Sequence, residues 1–242
     1  LPICFLHTRH KVAPEPNCGL GAPPARITRK GVPELVLQVV PHQREITMTS
    51  IKALVAGLLA SVMTGCATGW VNTSEPGWVA LFDGSSLHKW NLYGNPNFRI
   101  QDGLAVSDVG VGHLVTKDTY TDFRIVAEFW TDADANSGVF IRCADPKQIN
   151  AKNCYEVNIN DAAVDSGTGT GGIPNYGKTT HRIKAAGQWN TYDITAKGNN
   201  IRVVLNGVET LNINDATLPK GVITLQRSAG VVKFRKVYIR PL

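Results

Sequence analysis

From Trp78 to the end of the chain, short apolar runs alternate with turn signals, and no segment shows a sustained helical period. Within the runs, apolar side chains recur at every second position, as in a strand with one buried face. The pattern predicts eleven strands: Phe98–Ile100, Leu104–Val106, His113–Thr116, Phe123–Trp130, Gly138–Arg142, Tyr155–Asn160, Asn190–Ala196, Ile201–Leu205, Val208–Ile213, Val222–Gln226 and Val231–Ile239. Many short strands of this spacing indicate an all-β sandwich or barrel.

The turns between these runs support the same conclusion. Asn206-Gly207 separates two predicted strands by two residues, which is a strong hairpin signal. The 23 Gly and 13 Pro of the chain supply further turns, and a hydrophobic fraction of 43% is enough for a sizeable core.

Alternation also sorts side chains by face. In Phe123–Trp130 it predicts a core face of Phe123, Ile125, Ala127 and Phe129, opposite Arg124, Val126, Glu128 and Trp130. In three other strands it places Arg142, Glu156, Asn158 and Gln226 opposite the core. Two carboxylates, a guanidinium, amides and an aromatic ring suit the binding of polar rings better than a merely solvated face would.

The segment 48–66, MTSIKALVAGLLASVMTGC, predicts a secretory leader. One Lys precedes an apolar run that is too short to span a bilayer, and small residues follow. Its end resembles a bacterial lipobox, in which Cys66 becomes the lipid-modified terminus, and Ala67 after it favours outer-membrane sorting. A buried helix is the alternative, but no amphipathic period supports it. We therefore expect a periplasmic lipoprotein, with residues 67–76 as a linker.

Residues 1–47 show no sustained period and precede the leader. We interpret them as upstream sequence translated in error before Met48, or as a disordered extension poor in apolar residues.

The net charge of +6 raises the question of nucleic-acid binding. Residues 1–47 contribute +3 and Lys52 contributes +1, whereas residues 67–242 hold 18 basic and 16 acidic residues. A phosphate-binding surface requires a basic stripe, so we expect no nucleic-acid partner.

The five Cys divide by segment. Cys4 and Cys18 lie in the doubtful extension and Cys66 at the lipobox, which leaves Cys143 and Cys154 in the main domain. An exported domain retains disulfides, so these two predict a bridge between the end of one strand and the start of the next. A metal site is the weaker alternative, since no His or further Cys lies nearby in sequence.

Six segments then match a known family in order. They are GWVALFDGSSLHKWN (77–91), DFRIVAEFW (122–130), NSGVFIR (136–142), CYEVNIND (154–161), GQWNTYDITAKGNNIRVVLNG (187–207) and ITLQRSAGVVKFRKVYIRPL (223–242). Together they resemble the 3-keto-disaccharide hydrolase domain over essentially all of 77–242. The resemblance implies a concanavalin-like jelly roll of two antiparallel sheets with a concave sugar-binding face.

The resemblance also implies a reaction, the cleavage of glycosides whose sugar a partner C3-dehydrogenase has already oxidised. A ketone at C3 acidifies the C2 proton, so a base can remove it, the C1 substituent can leave, and water can then add. Such chemistry needs a base, an acid, and a group or divalent metal that polarises the ketone. We expect Glu156 as acid/base, Arg142 as the oxyanion or carboxylate-orienting group, and Glu128 as second carboxylate or metal ligand.

Each assignment has an alternative. Glu128 and Arg142 could form a cross-strand ion pair, and Asn158 and Gln226 could bind sugar hydroxyls or satisfy each other. Trp130 could stack on a sugar or lie in the core, and His113 could carry a proton or be uninvolved. Members of the family often have Leu-Gln-x-His-Gly near the end, whereas this chain has no His at 225–230.

Two other functions remain open at this point. A non-catalytic, lectin-like carbohydrate-binding domain would use the same face, and a conventional glycosidase would need two carboxylates across the bond. The Gly-rich segment 165–182 is interpreted as a flexible rim loop, and it lacks the lysine pattern of a phosphate loop.

Overall fold

A computed structural model describes residues 71–242, and the side chains of 164–166 are not part of that description. The predictions for 1–47, for the leader 48–66 and for Cys66 lie outside the described residues. In the part that the structure describes, no helix is long and apolar enough to cross a membrane.

The described chain is built from thirteen strands and one 3₁₀ helix. The strands are β1 (Val79–Phe82), β2 (Trp90–Gly94), β3 (Arg99–Gln101), β4 (Leu104–Ser107), β5 (Gly112–Thr116), β6 (Phe123–Thr131), β7 (Asn136–Cys143), β8 (Tyr155–Ile159), β9 (Trp189–Lys197), β10 (Asn200–Leu205), β11 (Val208–Asn214), β12 (Val222–Ala229) and β13 (Val232–Pro241), and the 3₁₀ helix spans Asp161–Ser166. All eleven predicted strands are present, with ends shifted by at most three residues. The sequence pattern missed β1 and β2.

The strands form two antiparallel sheets, as the jelly-roll prediction requires. The larger has eight strands in the order β11-β10-β9-β6-β13-β4-β3, with β1 also paired to β13. The smaller has five strands in the order β2-β5-β12-β7-β8. Neighbours in sheet order are often distant in sequence, so the fold depends on long-range pairing.

The core lies between the two sheets, and period-two alternation fills it from both sides. On β6, the predicted core residues Phe123, Ile125, Ala127 and Phe129 are all fully buried. The five-stranded sheet contributes Val139, Ile141, Val157, Ile223 and Leu225 to the same cluster. Burial of a side chain of this size stabilises the fold by about 1.5–3 kcal/mol, so these inner faces hold the sheets together.

Tight turns set the register of the hairpins. Asn206 and Gly207 both have positive φ, 51° and 84°, and they connect β10 to β11 with Leu205 paired to Val208. This is the two-residue hairpin that the Asn-Gly signal predicts, because only such residues tolerate two successive left-handed positions.

The predicted disulfide between Cys143 and Cys154 is present and joins β7 to β8. The loop it closes folds back over the outer side of the five-stranded sheet. There Ile149 packs on a second apolar cluster that includes Val115 and Phe140.

The Gly-rich segment after β8 closes one side of the sandwich. Gly171 and Gly172 exchange main-chain hydrogen bonds with Asn158 on β8. Further along, the Thr180 amide donates to Thr210 O on β11, and Ile173 is fully buried in the core. The predicted rim loop is therefore a packed seam between the edges of the two sheets.

Candidate functional site on the five-stranded sheet

Residues paired across antiparallel strands point to the same side of a sheet. Gln226 pairs with both His113 and Gly138, and Gly138 pairs with Asn158. A neighbouring row runs from Thr224 through Phe140 to Glu156. We call this outward side of the five-stranded sheet the site face; its residues are Asn91, Tyr93, His113, Val115, Gly138, Phe140, Glu156, Asn158, Thr224 and Gln226. The structure thus brings together Glu156, Asn158, Gln226 and His113, four of the residues singled out from the sequence.

Glu156 is the only carboxylate of the site face. It lies opposite Phe140 on the adjacent strand and is half-buried. Burial raises the pKa of Glu156 from 4.5 to about 7. At neutral pH its two protonation states are therefore similarly populated, which is the condition for a side chain that both takes and returns a proton.

Asn158 is held rigidly, but one of its oxygens has no partner. Its Nδ2 donates to Thr168 O at 2.5 Å, and its main chain bonds Gly171 and Gly172. The buried Oδ1 accepts no hydrogen bond, and neither does the buried Oε1 of Gln226. The two amides therefore do not satisfy each other.

Buried acceptors without donors are costly, about 1–3 kcal/mol each, and call for an explanation. These two residues flank Gly138, and the Phe140 ring and Glu156 Cγ occupy the space where a Gly138 side chain would stand. Sugar hydroxyl groups are the donors that would complete both. Both oxygens have almost no exposed surface, so a ligand hydroxyl reaches them only when a neighbouring side chain moves aside.

His113 is buried, and its Nδ1 lies 3.0 Å from Thr224 Oγ1. The edge of its ring meets Phe140 at a centroid distance of 5.0 Å. Burial lowers the pKa of His113 to about 4, so the ring is neutral at neutral pH. It lies on β5, three strands from β8. The Phe140 ring lies between the two side chains: it meets the His113 ring, and it reaches the space above Gly138 where Glu156 Cγ also lies.

Tyr93 completes the far side of the face, and the sequence pattern missed it together with β2. Its ring centroid lies 6.1 Å from that of His113, and it is about one-third exposed. The run Trp90-Asn91-Leu92-Tyr93 could have indicated this strand. Gly94 and Pro96 follow closely, however, and make the run too short to stand out in the sequence.

The prediction that Arg142 lies on this face is wrong. A bulge between Val222 and Thr224 and a φ of 51° at Arg142 interrupt the alternation of β7. The guanidinium is fully buried and donates to Thr121 O, Gly198 O and Asp122 Oδ1. It ties the end of β7 to loops of the other sheet and does not orient a ligand.

The predicted placement of Glu128 and Trp130 beside Glu156 is also wrong. Both point away from the core as expected, but β6 belongs to the eight-stranded sheet. Glu128 pairs there with Arg235 and lies 3.5 Å from Lys236, and Lys233 stands 4.3 Å over the Trp130 ring. Because the core separates the two outer faces, Glu128 forms neither the carboxylate pair with Glu156 nor the ion pair with Arg142 that the sequence suggested.

The described residues contain no group of three or more His, Cys, Asp or Glu side chains placed to hold a metal ion. The site face carries one carboxylate, Glu156, and near it the amide oxygens of Asn158 and Gln226. Such oxygens suit a hard divalent cation.

Two crystal structures from Parabacteroides distasonis ATCC 8503, both of candidate glycosyl hydrolases, are similar to this chain. One is 29% identical, covers 68% of this chain and 99% of its own, and superposes with a TM-score of 0.58. The other is 19% identical, covers 69% and 94%, has a TM-score of 0.62, and shows the fold alone. No curated protein matches the chain.

The fold and the sugar-suited face define a jelly-roll domain of the glycosyl hydrolase-like or carbohydrate-binding type. Its family is more specific. Residues 77–240 match the model of the 3-keto-alpha-glucoside-1,2-lyase-like domain, and the chain belongs to that family.

Proposed function

We propose that this domain cleaves the glycosidic bond of 3-keto-glycosides or 3-keto-disaccharides, with Glu156 as the acid/base. The observation that carries the proposal is the buried carboxyl of Glu156, whose pKa is about 7, on a face lined with amides. The family match supports the choice of a 3-keto substrate.

The chemistry begins with proton removal. The Glu156 carboxylate takes the proton from C2, and the C–H electrons form a C1=C2 double bond conjugated with the C3 ketone. The bond between C1 and the glycosidic oxygen breaks, and the departing oxygen takes the proton from the Glu156 carboxyl to become an alcohol, which restores the carboxylate. Addition of water across the double bond then gives the free 3-keto sugar, so the two steps together amount to hydrolysis.

The other residues of the site face serve binding in this proposal. The free acceptors of Asn158 and Gln226 take hydroxyl protons of the sugar. Neutral His113, together with Tyr93, contacts the ligand on the β5 and β2 side of Phe140.

We also propose that a divalent metal ion can bind at the site face. If one binds, Glu156 and the neighbouring amide oxygens are the residues that would hold it, and it would polarise the ketone. Turnover before and after dialysis against a chelator, with metal then restored, tests this point.

The direct test of the proposed function is a panel of oxidised and unoxidised disaccharides, incubated with wild type and with Glu156→Gln. We expect cleavage of the 3-keto members by the wild type and a loss of at least about 100-fold in the variant. Saturable binding of sugars with no cleavage, unchanged by Glu156→Gln, would instead identify a carbohydrate-binding domain.

A conventional two-carboxylate glycosidase is disfavoured by the geometry. It needs a second carboxylate across the bond from the first, and Glu128 lies on the opposite outer face of the sandwich from Glu156. Cleavage of an unoxidised disaccharide that depends on Glu128 would reverse this conclusion.

The proposal includes a location. The leader and Cys66 make the chain a periplasmic lipoprotein held at the outer membrane, where it would act after a sugar C3-dehydrogenase. Metabolic labelling with a fatty acid, compared between the wild type and Cys66→Ser, tests the anchor.

A further inference from the structure

The outer face of the eight-stranded sheet is unlike the site face. Of the four Trp in the described part of the chain, Trp78, Trp130 and Trp189 lie on this side, and only Trp90 lies in the core. All three are half-buried. We call this surface the tryptophan face; it consists of these three residues and the basic side chains Arg124, Lys233, Arg235, Lys236 and Arg240.

A basic group lies over each of these rings. Lys233 Nζ is 4.3 Å from the centroid of Trp130, and the Arg235 guanidinium is 4.2 Å from that of Trp189. Arg124 and Arg240 approach Trp78 at 5.8 and 5.4 Å. Cation–π contacts hold these cations in place, and Arg124, Arg235 and Arg240 also form ion pairs, with Asp193, Glu128 and Glu75 respectively.

The face is also positive. On this face the five basic residues stand against three carboxylates: Glu128 beside Arg235 and Lys236, Asp193 beside Arg124, and Glu75 beside Arg240. A bulge between Phe234 and Lys236 brings Arg235 and Lys236 to the same side. Five basic residues against three carboxylates leave this face with a net charge of +2, which equals the net charge of residues 67–242.

The N-terminal end of the described chain runs along the same face. Val71 and Thr73 line a small cavity together with Val126, Glu128 and Tyr238. Cys66 precedes Val71 by five residues, a span of at most about 18 Å. A lipid on Cys66 would therefore keep the tryptophan face close to the membrane.

We propose that the tryptophan face rests on the surface of a bilayer that contains anionic lipids. Trp side chains prefer the membrane interface, and Lys and Arg bind the phosphate groups of lipid headgroups. In this orientation the site face, on the other sheet, points away from the bilayer towards dissolved substrate. The contact goes beyond the proposed reaction, because it concerns the sheet that does not carry Glu156.

The test uses the full-length chain with Cys66→Ser, so that no lipid anchor contributes. Its co-sedimentation is measured with vesicles of phosphatidylethanolamine and phosphatidylglycerol, and with vesicles of phosphatidylcholine alone. We expect binding to the anionic vesicles only, weakened by added salt.

The discriminating variant is Lys233→Glu/Arg240→Glu in the same background. Each basic residue near an anionic surface contributes appreciably to binding, so the double reversal is expected to weaken vesicle binding by at least about ten-fold. The matched control, Lys117→Glu/Lys220→Glu, makes the same charge change at exposed positions outside the tryptophan face and is expected to bind like its parent.

Several outcomes would overturn the proposal. They are failure of the parent to bind anionic vesicles, equal loss in both double variants, or binding to a soluble acidic polysaccharide but not to vesicles. A dimer in sedimentation velocity that Lys233→Glu/Arg240→Glu abolishes would identify a second copy of the chain as the occupant instead. Cleavage of 3-keto substrates is assayed separately, so failure of the membrane contact leaves the proposed reaction untouched, and the converse also holds.

Discussion

Glu156 on β8 lies directly across from Phe140 on β7, so its carboxyl rises beside a phenyl ring and not beside a basic group. Burial in this position favours the neutral acid, which is why the pKa of Glu156 is about 7. In the proposed reaction, a carboxyl with this pKa can both take and return the proton, so a single carboxylate on the face is sufficient.

The pH dependence of turnover should report this carboxyl. Glu156 must be ionised to take a proton, so kcat/KM for a 3-keto-glycoside is expected to rise as pH increases through about 7. His113 is already neutral above about pH 4, so it contributes no inflection near neutrality. The profile is measured for the wild type and for Glu128→Gln as a matched control on the other sheet. An inflection near 7 that Glu128→Gln abolishes would contradict the assignment.

The stability of the fold should also depend on Glu156. The pKa of Glu156 is 4.5 in the unfolded chain and about 7 in the folded protein, so the carboxyl ionises less readily in the folded state. The free energy of unfolding therefore falls as pH rises from 4.5 towards 7. Glu156→Gln should therefore leave the free energy of unfolding nearly unchanged at pH 4. Above pH 7 it should increase that free energy by up to about 3 kcal/mol, less where solvent reaches the carboxyl. Urea unfolding at both pH values measures the difference, and a variant that is less stable at pH 8 would refute the expectation.

Arg142 should behave as a structural residue. Its guanidinium satisfies two carbonyl groups and Asp122 at the end of the sandwich, and Lys cannot reproduce that fork. Arg142→Lys should lower the free energy of unfolding by about 2–4 kcal/mol, while kcat of the folded fraction stays unchanged. The paired measurement is urea unfolding with turnover at a temperature where the variant is folded. A fall in kcat without a loss of stability would contradict this expectation and indicate that Arg142 takes part in catalysis.

The disulfide between Cys143 and Cys154 should affect both stability and binding. It closes an eleven-residue separation, so its removal in Cys143→Ser/Cys154→Ser is expected to cost about 2–3 kcal/mol. The loop it closes places Ile149 on the cluster that contains Phe140, next to Glu156. We therefore expect a higher KM with little change in kcat. Ile149→Ala, which keeps the disulfide, should raise KM alone, and an unchanged KM in both variants would show that the loop does not shape the site.

The sequence predicted the faces of strands better than it predicted the assignment of strands to sheets. Alternation correctly turned Glu128 and Glu156 away from the core, because burial of one face constrains every second residue. It could not show that β6 and β8 belong to different sheets, since that depends on pairing between strands far apart in the chain. For this reason the sequence wrongly predicted that Glu128 and Glu156 form a carboxylate pair, although they lie on different sheets.

Arg142 illustrates a different limit. A single bulge changes the face of the residue next to it, and nothing in Val-Phe-Ile-Arg-Cys signals a bulge. Features that depend on a few neighbouring residues were predicted correctly: the hairpin turn at Asn206-Gly207 and the disulfide between Cys143 and Cys154. The unpaired oxygens of Asn158 and Gln226 could be recognised only once the hydrogen bonds of their neighbours were known.

The main-chain bonds of Gly171 and Gly172 to Asn158 have a consequence for self-association. A strand at the end of a sheet normally offers its amides and carbonyls to any other strand, which is the usual start of ordered aggregation. Near Asn158, β8 has already used these groups on its own chain. Mutations that loosen this glycine segment are thus expected to promote fibrils, which makes the segment a determinant of solubility at high concentration.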